Sequence, residues 1–211
     1  MLSGDVVAAL LLLAGAAVIQ FFRGRKLNLA LVQFYASQSV EVFKPVDKTY
    51  TWLGGYIGYR ASFELEDGTK LEYTLTLLPR HSLLYFPISL LTNRHDKLYL
   101  VFRLKELGGE AHLIQKGYYR LRPSIENEIT LLKEVIRIAK RDYEAIYDKK
   151  SYVEWIVKFI EGFSRPENVK HVSLTPSTKV LYVQMKPEPE TFRKDMEHTY
   201  SFLRANMKKL K

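Results

Sequence analysis

The first forty residues combine one continuous apolar run with a helical pattern that follows it. Residues 6–22 read VVAALLLLAGAAVIQFF, and no charge lies between Asp5 and Arg23. A helix crosses about 30 Å of hydrocarbon with ~20 apolar residues, or with as few as ~17. The run therefore predicts a membrane span at the short end of that range. Residues 27–43 keep helical spacing, so we expect the helix to continue past the bilayer until Pro45 ends it.

The charges around the span predict its orientation. Only Asp5 and the amino terminus precede it, whereas three basic residues follow it, Arg23, Arg25 and Lys26. Positive residues stay on the cytoplasmic side. We expect the amino terminus outside and the rest in the cytoplasm of a single-pass cell-membrane protein. A cleaved signal peptide would show the reverse charge order and a small-residue cleavage site. The apolar positions that we assign to the membrane anchor are Val6, Leu10, Leu13, Val18 and Phe22.

From residue 51 the apolar residues no longer follow helical spacing but alternate with a period of two. Alternation over residues 51–63 predicts one strand, and Asp67-Gly68 predicts a hairpin turn into a return strand over 71–77. The GGYIG stretch at 54–58 lacks the spacing of a phosphate-binding glycine loop. We interpret it as strand with tight backbone packing.

Residues 79–95, PRHSLLYFPISLLTNRH, form a second apolar stretch with basic residues at both ends. It is too short to span a bilayer, and Pro87 is expected to interrupt or kink a helix. Two interpretations stay open. The stretch lies in the headgroup region or against a partner, or it packs on the sheet as a core helix. Its apolar residues are Leu83, Leu84, Tyr85, Phe86, Ile88, Leu90 and Leu91.

The remaining pattern predicts an α+β domain with antiparallel strands and a long C-terminal helix. Residues 96–105 and 110–120 are predicted as neighbouring strands across Gly108-Gly109. A helix is expected from Pro123 to about Lys140, with its stripe at Ile125, Ile129, Leu132, Ile136 and Ala139. A helix at 152–163, strands at 169–174 and 179–186, and a final helix at 190–210 follow. We divide the chain into the transmembrane anchor (1–24), a juxtamembrane helix and connector (25–48) and a cytoplasmic domain (49–211).

Composition narrows the chemistry. The chain has no cysteine, which excludes disulfides, thiol catalysis and zinc–thiolate sites. Its net charge of +9 favours anionic lipid headgroups or RNA phosphates as partners. The basic residues at the carboxyl end of the predicted 123–140 helix have a second interpretation, because positive charge there complements the helix dipole. The positions that we single out for RNA or lipid contact are Arg80, Arg94, Arg137, Lys140, Arg141, Lys208, Lys209 and Lys211.

No motif for catalysis is present. The five histidines lack the spacing of a metal site, and neither a phosphate-binding loop nor a nucleophile elbow occurs. We expect no enzyme activity, no cofactor and no small-molecule substrate. A membrane-tethered enzyme stays open only because side chains distant in sequence can meet in the fold.

Several local patterns resemble the calumin family, membrane proteins of the PAT chaperone complex. In that family a membrane helix with a basic collar leads into a helix like residues 25–43 here, and an aromatic, glycine-containing strand matches residues 50–64. The family's apolar segment begins with a basic residue, as residues 80–84 do. Nearer the carboxyl end, residues 160–175 read IEGFSRPENVKHVSLT, and 194–197 read Lys-Asp-Met-Glu like the start of the family's last domain helix.

The chain departs from the eukaryotic members in two ways. An acidic lumenal domain before the span and a long charged coiled-coil tail are both missing, and the KKLK ending at 208–211 is at most a remnant of that tail. Many Glu, Lys and Arg residues with no cysteine suit a heat-adapted organism. The chain is therefore similar to a minimal, archaeal-type member.

The resemblance implies a non-enzymatic scaffold or chaperone for the insertion and folding of multipass membrane proteins. Its partners would be the SecY-type translocon, the ribosome through its RNA, and an Asterix-like small membrane protein. The apolar residues between 83 and 91 would act as a latch beside the channel. The alternative is a peripheral lipid-binding or lipid-handling protein, which would use the basic collar and the same apolar stretch on anionic headgroups.

Overall fold

The computed structural model describes residues 3–121, 123–125 and 128–210. It contains one very long helix, a nine-stranded antiparallel sheet and three shorter helices. The elements in chain order are α1 (Gly4–Phe43), β1 (Asp47–Trp52), β2 (Gly58–Glu64), β3 (Lys70–Thr76), α2 (Tyr85–Thr92), β4 (Lys97–Arg103), β5 (Ala111–Gln115), β6 (Leu132–Ile138), β7 (Arg141–Tyr147), α3 (Lys150–Glu161), β8 (Val169–Thr175), β9 (Val180–Met185) and α4 (Phe192–Asn206). Short 3₁₀ turns lie at Glu128–Thr130, Pro166–Asn168 and Met207–Leu210.

Helix α1 is continuous over 40 residues, about 60 Å at 1.5 Å per residue. Its most apolar 18-residue window has a mean hydropathy of 2.2, and none of that window is buried. The helix ends at Lys44, whose left-handed backbone lets its N–H donate to the carbonyl oxygen of Val40 before Pro45. The chain thus has an N-terminal helix long and apolar enough to span a membrane, and the predicted continuation to residue 43 is confirmed.

The sheet has the strand order β1-β2-β3-β4-β9-β8-β5-β7-β6, and all its pairs are antiparallel. The predicted β2–β3 hairpin is confirmed, because Gly68 takes a φ of +76° at the turn. The predicted pairing of the last two strands is confirmed as β8–β9.

One face of the sheet carries the hydrophobic core. The second half of α1 packs beside α4, with the rings of Tyr35 and Phe192 4.7 Å apart. Phe43, at the end of α1, meets Phe63 of β2 and Phe102 of β4. Helix α3 covers β5, β7 and β8. The α+β class with antiparallel strands and a C-terminal helix is confirmed.

The single strand predicted over residues 51–63 is wrong, because the chain reverses in its middle. β1 ends at Trp52 and β2 begins at Gly58, and the two strands pair antiparallel. Gly54, Gly55 and Tyr56 all have positive φ, between +52° and +77°. Glycine adopts such a backbone at little cost. Gly54 and Gly55 therefore belong to a turn. The expected tight backbone packing holds at Gly58, the first residue of β2, where a Cβ would overlap the carbonyl oxygen of Leu75.

The predicted neighbours at 96–105 and 110–120 do not pair with each other. β4 lies between β3 and β9, whereas β5 lies between β8 and β7. Gly108-Gly109 thus belongs to a crossover rather than to a hairpin. Gly109 is needed there for close packing, because a Cβ at this position would overlap the ring of Tyr152 on α3.

The helix expected from Pro123 to Lys140 is also wrong. Its second half forms β6, which pairs with β7 through a turn where Ala139 has a φ of +50°. Ile136 and Ile138 alternate inward along β6, and Ile129 of the supposed stripe is fully exposed. Over so short a stretch, helical and alternating patterns share positions, and β-branched residues favour the strand. Arg122, Glu126 and Asn127 lie outside the described residues.

Pro87 was expected to interrupt or kink a helix, yet α2 runs from Tyr85 to Thr92 around it. The proline lies in the first turn of α2. The N–H groups of a first turn have no acceptor within the helix, so the missing N–H costs nothing there.

Candidate functional site

A row of small or polar residues on α1 holds the apolar half of the helix to the sheet domain. Gln20, Gly24 and Asn28 follow one another at intervals of four, so they share one face of the helix. The Asn28 amide donates to the carbonyl oxygens of Tyr56 and Leu78, at 2.9 and 2.8 Å. The Gln20 amide donates to the carbonyl oxygen of residue 80 at 2.6 Å. Side-chain amides of α1 thus pair with backbone carbonyls of the β1–β2 turn and of the loop that follows β3.

Arg80 completes this clamp from the loop side. Its guanidinium forms two hydrogen bonds to the Asp96 carboxylate, at 2.9 and 2.8 Å, and a third to Asn28 Oδ1 at 3.1 Å. Asp96 also accepts from the N–H of Leu78 at 2.8 Å. The paired geometry of arginine and carboxylate makes these bonds strong and directional. Arg80 was predicted to contact RNA or lipid, but its guanidinium is bonded to Asp96 and Asn28 of the same chain.

Helix α2 contributes no buried residue. Leu84 and Leu91 are 75% and 81% exposed, and Tyr85, Ile88 and Leu90 are exposed as well. Leu83 and Phe86 are half-buried. Of the two interpretations left open for residues 79–95, a core helix packed on the sheet does not match these exposures.

An apolar groove of 770 Å³ separates this segment from α1. We call it the membrane groove. One wall is a single face of α1, and the other is formed by the segment around α2 and by the β1–β2 turn. The residues of the two walls that matter below are Leu10, Leu13, Ala14, Ala17 and Phe21 on α1, and Ile57, Leu83, Leu84 and Tyr85 opposite.

Aromatic and basic residues meet at the domain end of the membrane groove. Phe21 lies edge-on to the rings of Tyr56 and His81, and the guanidinium of Arg25 lies 4.7 Å from the centre of the Tyr56 ring. Arg23 and Lys26 are exposed on either side. Such aromatic and basic residues are typical of the membrane–water interface. The exposed anchor positions Val6, Leu10, Leu13 and Val18 lie on the amino-terminal side of this cluster, and Phe22 lies beside Phe21 within it.

A second cavity, of 440 Å³, lies on the other face of the sheet. We call it the tyrosine pocket. Leu98 and Leu100 are buried in the core, so Tyr99 between them faces the opposite side. The amide of the buried Gln184 organises the floor. The residues that define the pocket are Tyr99, Tyr118, Tyr119, Tyr182 and Gln184, with Arg94, Lys97 and Arg120 around them.

The hydrogen bonds in the floor of the tyrosine pocket form one network. Gln184 Oε1 accepts from the hydroxyls of Tyr119 and Tyr182, and Gln184 Nε2 donates to the Tyr118 hydroxyl at 2.7 Å. Tyr119 also contacts His171 Nδ1 at 3.2 Å. Burial raises the pKa of Tyr119 to about 12, and burial with a smaller effect of His112 lowers the pKa of His171 to about 3. The network is therefore neutral at pH 7.

The remaining basic positions predicted for RNA or lipid contact lie on separate elements. Arg94 lines the tyrosine pocket. Arg137, Lys140 and Arg141 are exposed around the β6–β7 turn. Lys208 and Lys209 are exposed on the last 3₁₀ turn, and Lys211 lies outside the described residues. Within residues 3–121, 123–125 and 128–210, no group of His, Cys, Asp and Glu side chains has the arrangement of a metal site.

The sequence pattern did not indicate the clamp or the tyrosine pocket. Gln20 interrupts the apolar run and Asn28 interrupts an apolar helical face. Both interruptions are explained by hydrogen bonds to carbonyl oxygens of the loop after β3. The tyrosines come from two strands and one loop, and 83 positions separate Tyr99 from Tyr182. Nothing in their local spacing brings them together.

Comparison with known proteins gives little. No protein-family model matches the chain, and no curated protein matches it. Among solved structures, the crystal structure of the mycobacterial trehalose monomycolate transport factor A, TtfA, is similar with a TM-score of 0.43 and 11% identity. That likeness covers 81% of this chain and 94% of TtfA.

Proposed function

We propose that this protein is a membrane-anchored, non-enzymatic scaffold that binds a transmembrane helix of a partner protein beside its own span. The membrane groove is the observation that carries the proposal. Its α1 wall lies in the most apolar and fully unburied part of the chain. An apolar groove at this level opens towards lipid, where a partner's helix is accessible.

The wall chemistry of the membrane groove supports a helix as occupant. The small side chains of Ala14 and Ala17 line it on the α1 side. Small residues let two helix backbones approach closely, and such contacts drive helix association in a bilayer. Leu13 and Leu84 flank the small residues and supply side-chain contact.

The clamp supports a scaffold rather than a flexible tether. Asn28 and the Arg80–Asp96 pair fix the segment before α2 to α1. The groove therefore keeps its shape without a partner, which lowers the entropic cost of binding. The basic residues Arg23, Arg25 and Lys26 support an orientation with the domain in the cytoplasm.

The cellular setting that we propose is membrane-protein insertion at the SecY-type translocon, together with an Asterix-like protein. The resemblance to the calumin family in residues 80–84, 160–175 and 194–197 supports this setting. Exposed basic residues on the β6–β7 turn, with Lys208 and Lys209, offer contacts to ribosomal RNA phosphates.

The test uses the absence of cysteine in the natural chain. Ala14→Cys places one thiol in the membrane groove, and Ile19→Cys places one on the exposed opposite side of α1. Both are labelled with a photoreactive maleimide in native membranes and irradiated. We expect Ala14→Cys to form protein adducts that contain translocon subunits or a small multi-span protein, and Ile19→Cys to form few. Equal adducts from both positions, or lipid adducts alone from Ala14→Cys, would overturn the proposal.

A second candidate function, lipid binding or handling at the membrane surface, is favoured by the exposed leucines of α2. Leu84 and Leu91 present apolar area to the headgroup region without burying it in the chain. The two functions differ in what the full-length protein binds when it is held in nanodiscs of neutral lipid, without detergent. Ribosomes that co-sediment with it and are released by salt support the first. Binding to anionic liposomes without ribosome binding supports the second.

A further inference from the structure

The tyrosine pocket has three properties of a built anion site. The first is a rigid floor. Gln184 is 3% exposed, its Oε1 accepts from the hydroxyls of Tyr119 and Tyr182, and its Nε2 donates to the hydroxyl of Tyr118. Because Tyr118 accepts from Gln184, its own hydrogen stays free to donate, and it has no acceptor among the described residues. A fixed network of this kind holds a hydroxyl donor at the floor before any ligand arrives.

The second property is uncompensated positive charge. Arg94, Lys97 and Arg120 line the pocket, and among the described residues no carboxylate lines it with them. Arg94 and Arg120 have no ion-pair partner in the part of the chain that the structure describes. Lys97 contacts only the neutral Asn93 amide at 3.1 Å, and burial lowers its pKa. Arg94 and Arg120 are exposed at the rim, whereas Lys97 is half-buried. A cation that is partly removed from water without an anion favours a negatively charged ligand.

The third property is its position. Leu91 and Thr92, the last residues of α2, line the tyrosine pocket at one edge. An acyl chain that lies along the exposed leucines of α2 therefore ends at Arg94 and Lys97. Tyrosine side chains suit this boundary, because one end of the side chain is apolar and the other polar.

We propose that the tyrosine pocket binds the phosphate of an anionic lipid headgroup, with Arg94 and Lys97 as the charged contacts and Tyr118 as the hydroxyl donor. The proposal rests on the membrane anchoring in the proposed function but not on its partner helix. The two charged oxygens of a phosphodiester accept hydrogen bonds from arginine and lysine, and its other oxygens can accept a hydrogen bond from a hydroxyl. A water-soluble phosphate ester shares this chemistry and is the other possible source.

The test measures which lipids the full-length protein retains in native mass spectrometry from detergent micelles. Phosphatidylglycerol and the neutral phosphatidylcholine are supplied together, and glycerol 3-phosphate is the soluble probe. We expect wild type to retain phosphatidylglycerol, and Arg94→Gln/Lys97→Gln to lose about tenfold or more of that retention. Lys48→Gln/Arg60→Gln removes the same charge from exposed positions on β1 and β2 and is expected to behave as wild type.

Tyr118→Phe keeps the ring, so it stays informative if the double variant does not fold, and we expect it to retain several-fold less. Equal loss in both double variants, or no preference for phosphatidylglycerol in wild type, would overturn the proposal. Glycerol 3-phosphate that binds as tightly as the lipid would assign the pocket to a soluble ester and overturn the lipid source. Adducts from Ala14→Cys are unaffected by these variants, so failure here is distinguishable from failure of the partner-helix proposal.

Discussion

The Cα of Gly24 lies directly against the carbonyl oxygen of Arg80, so that a Cβ at residue 24 would overlap the backbone of the loop. This approach brings α1 close enough for Gln20 to reach the same carbonyl oxygen. Asn28 then pairs one turn further along. The contact is where the membrane-facing part of the chain joins the sheet domain.

Gly24→Ala is expected to destabilise the protein by about 1–3 kcal/mol, because backbone atoms cannot move aside as a flexible side chain does. Gly15→Ala, also within α1, is the matched control, since nothing lies within 4 Å of its added Cβ. It should change stability by less than about 1 kcal/mol. Thermal unfolding in detergent measures both. Equal melting temperatures would contradict the close approach.

Asp96→Asn removes the charge partner of the half-buried Arg80 guanidinium and weakens its paired hydrogen bonds. We expect a loss of about 3 kcal/mol in the free energy of unfolding, because a partly buried cation is left uncompensated. Glu41→Gln breaks the exposed pair with Arg193, whose side chain is 55% exposed. That control should cost less than about 1 kcal/mol. Chemical denaturation of the two variants compares them, and similar losses would argue against the clamp.

The periodic parts of the fold were predictable. Residues 6–43 carry a strong helical pattern, and Asp67-Gly68 suits one turn geometry, so both were recovered. The β6–β7 hairpin was missed because Ile125, Ile129, Leu132 and Ile136 also fit a helical stripe. The hairpin forms because β7 pairs with the edge of β5, and that edge exists only in the folded sheet.

The two cavities were predictable to different degrees. The apolar residues of α2 were recognisable from composition, although not their position beside α1. The tyrosine pocket depends on strand order, which places β4 beside β9 and brings Tyr99 opposite Gln184. Local sequence carries no information on such a non-consecutive pairing. Arg80 shows the same limit, since its basic character suggested an external partner while Asp96 engages it within the chain.

Acid should destabilise the domain through His171. Its pKa is lowered to about 3 by burial, and by His112 as the smaller cause, whereas an unfolded histidine titrates near 6.5. Between these values the unfolded state binds more protons, so stability falls as the pH drops from about 6.5 towards 3. The slope from this one group approaches about 1.4 kcal/mol per pH unit. His171→Gln should flatten that part of the stability–pH curve, and an unchanged curve would exclude His171 as its cause.

Charge on the exposed face of α2 should abolish association without unfolding the protein. Leu84→Asp/Leu91→Asp alters two side chains that are 75% and 81% exposed. We expect an unchanged melting temperature and loss of co-purifying membrane partners, because a carboxylate at the headgroup level opposes apolar contact. Leu121→Asp, at a position 90% exposed outside α2, is the control. Partners retained by the double variant would exclude α2 as a contact surface.

The unbroken path of α1 from Gly4 to Phe43 makes the domain sensitive to the thickness of the bilayer. The same helix that enters the apolar layer is buried in the core at Tyr35 and Phe43, with no hinge between. Transmembrane helices are tilted by about 20° on average, and the tilt adjusts to the thickness of the hydrocarbon layer. Over the remaining ~30 Å of helix this tilt swings the end of α1 sideways by roughly 10 Å. The nine-stranded sheet is packed on this part of α1 and moves with it. A change of membrane thickness therefore becomes a displacement of the whole domain.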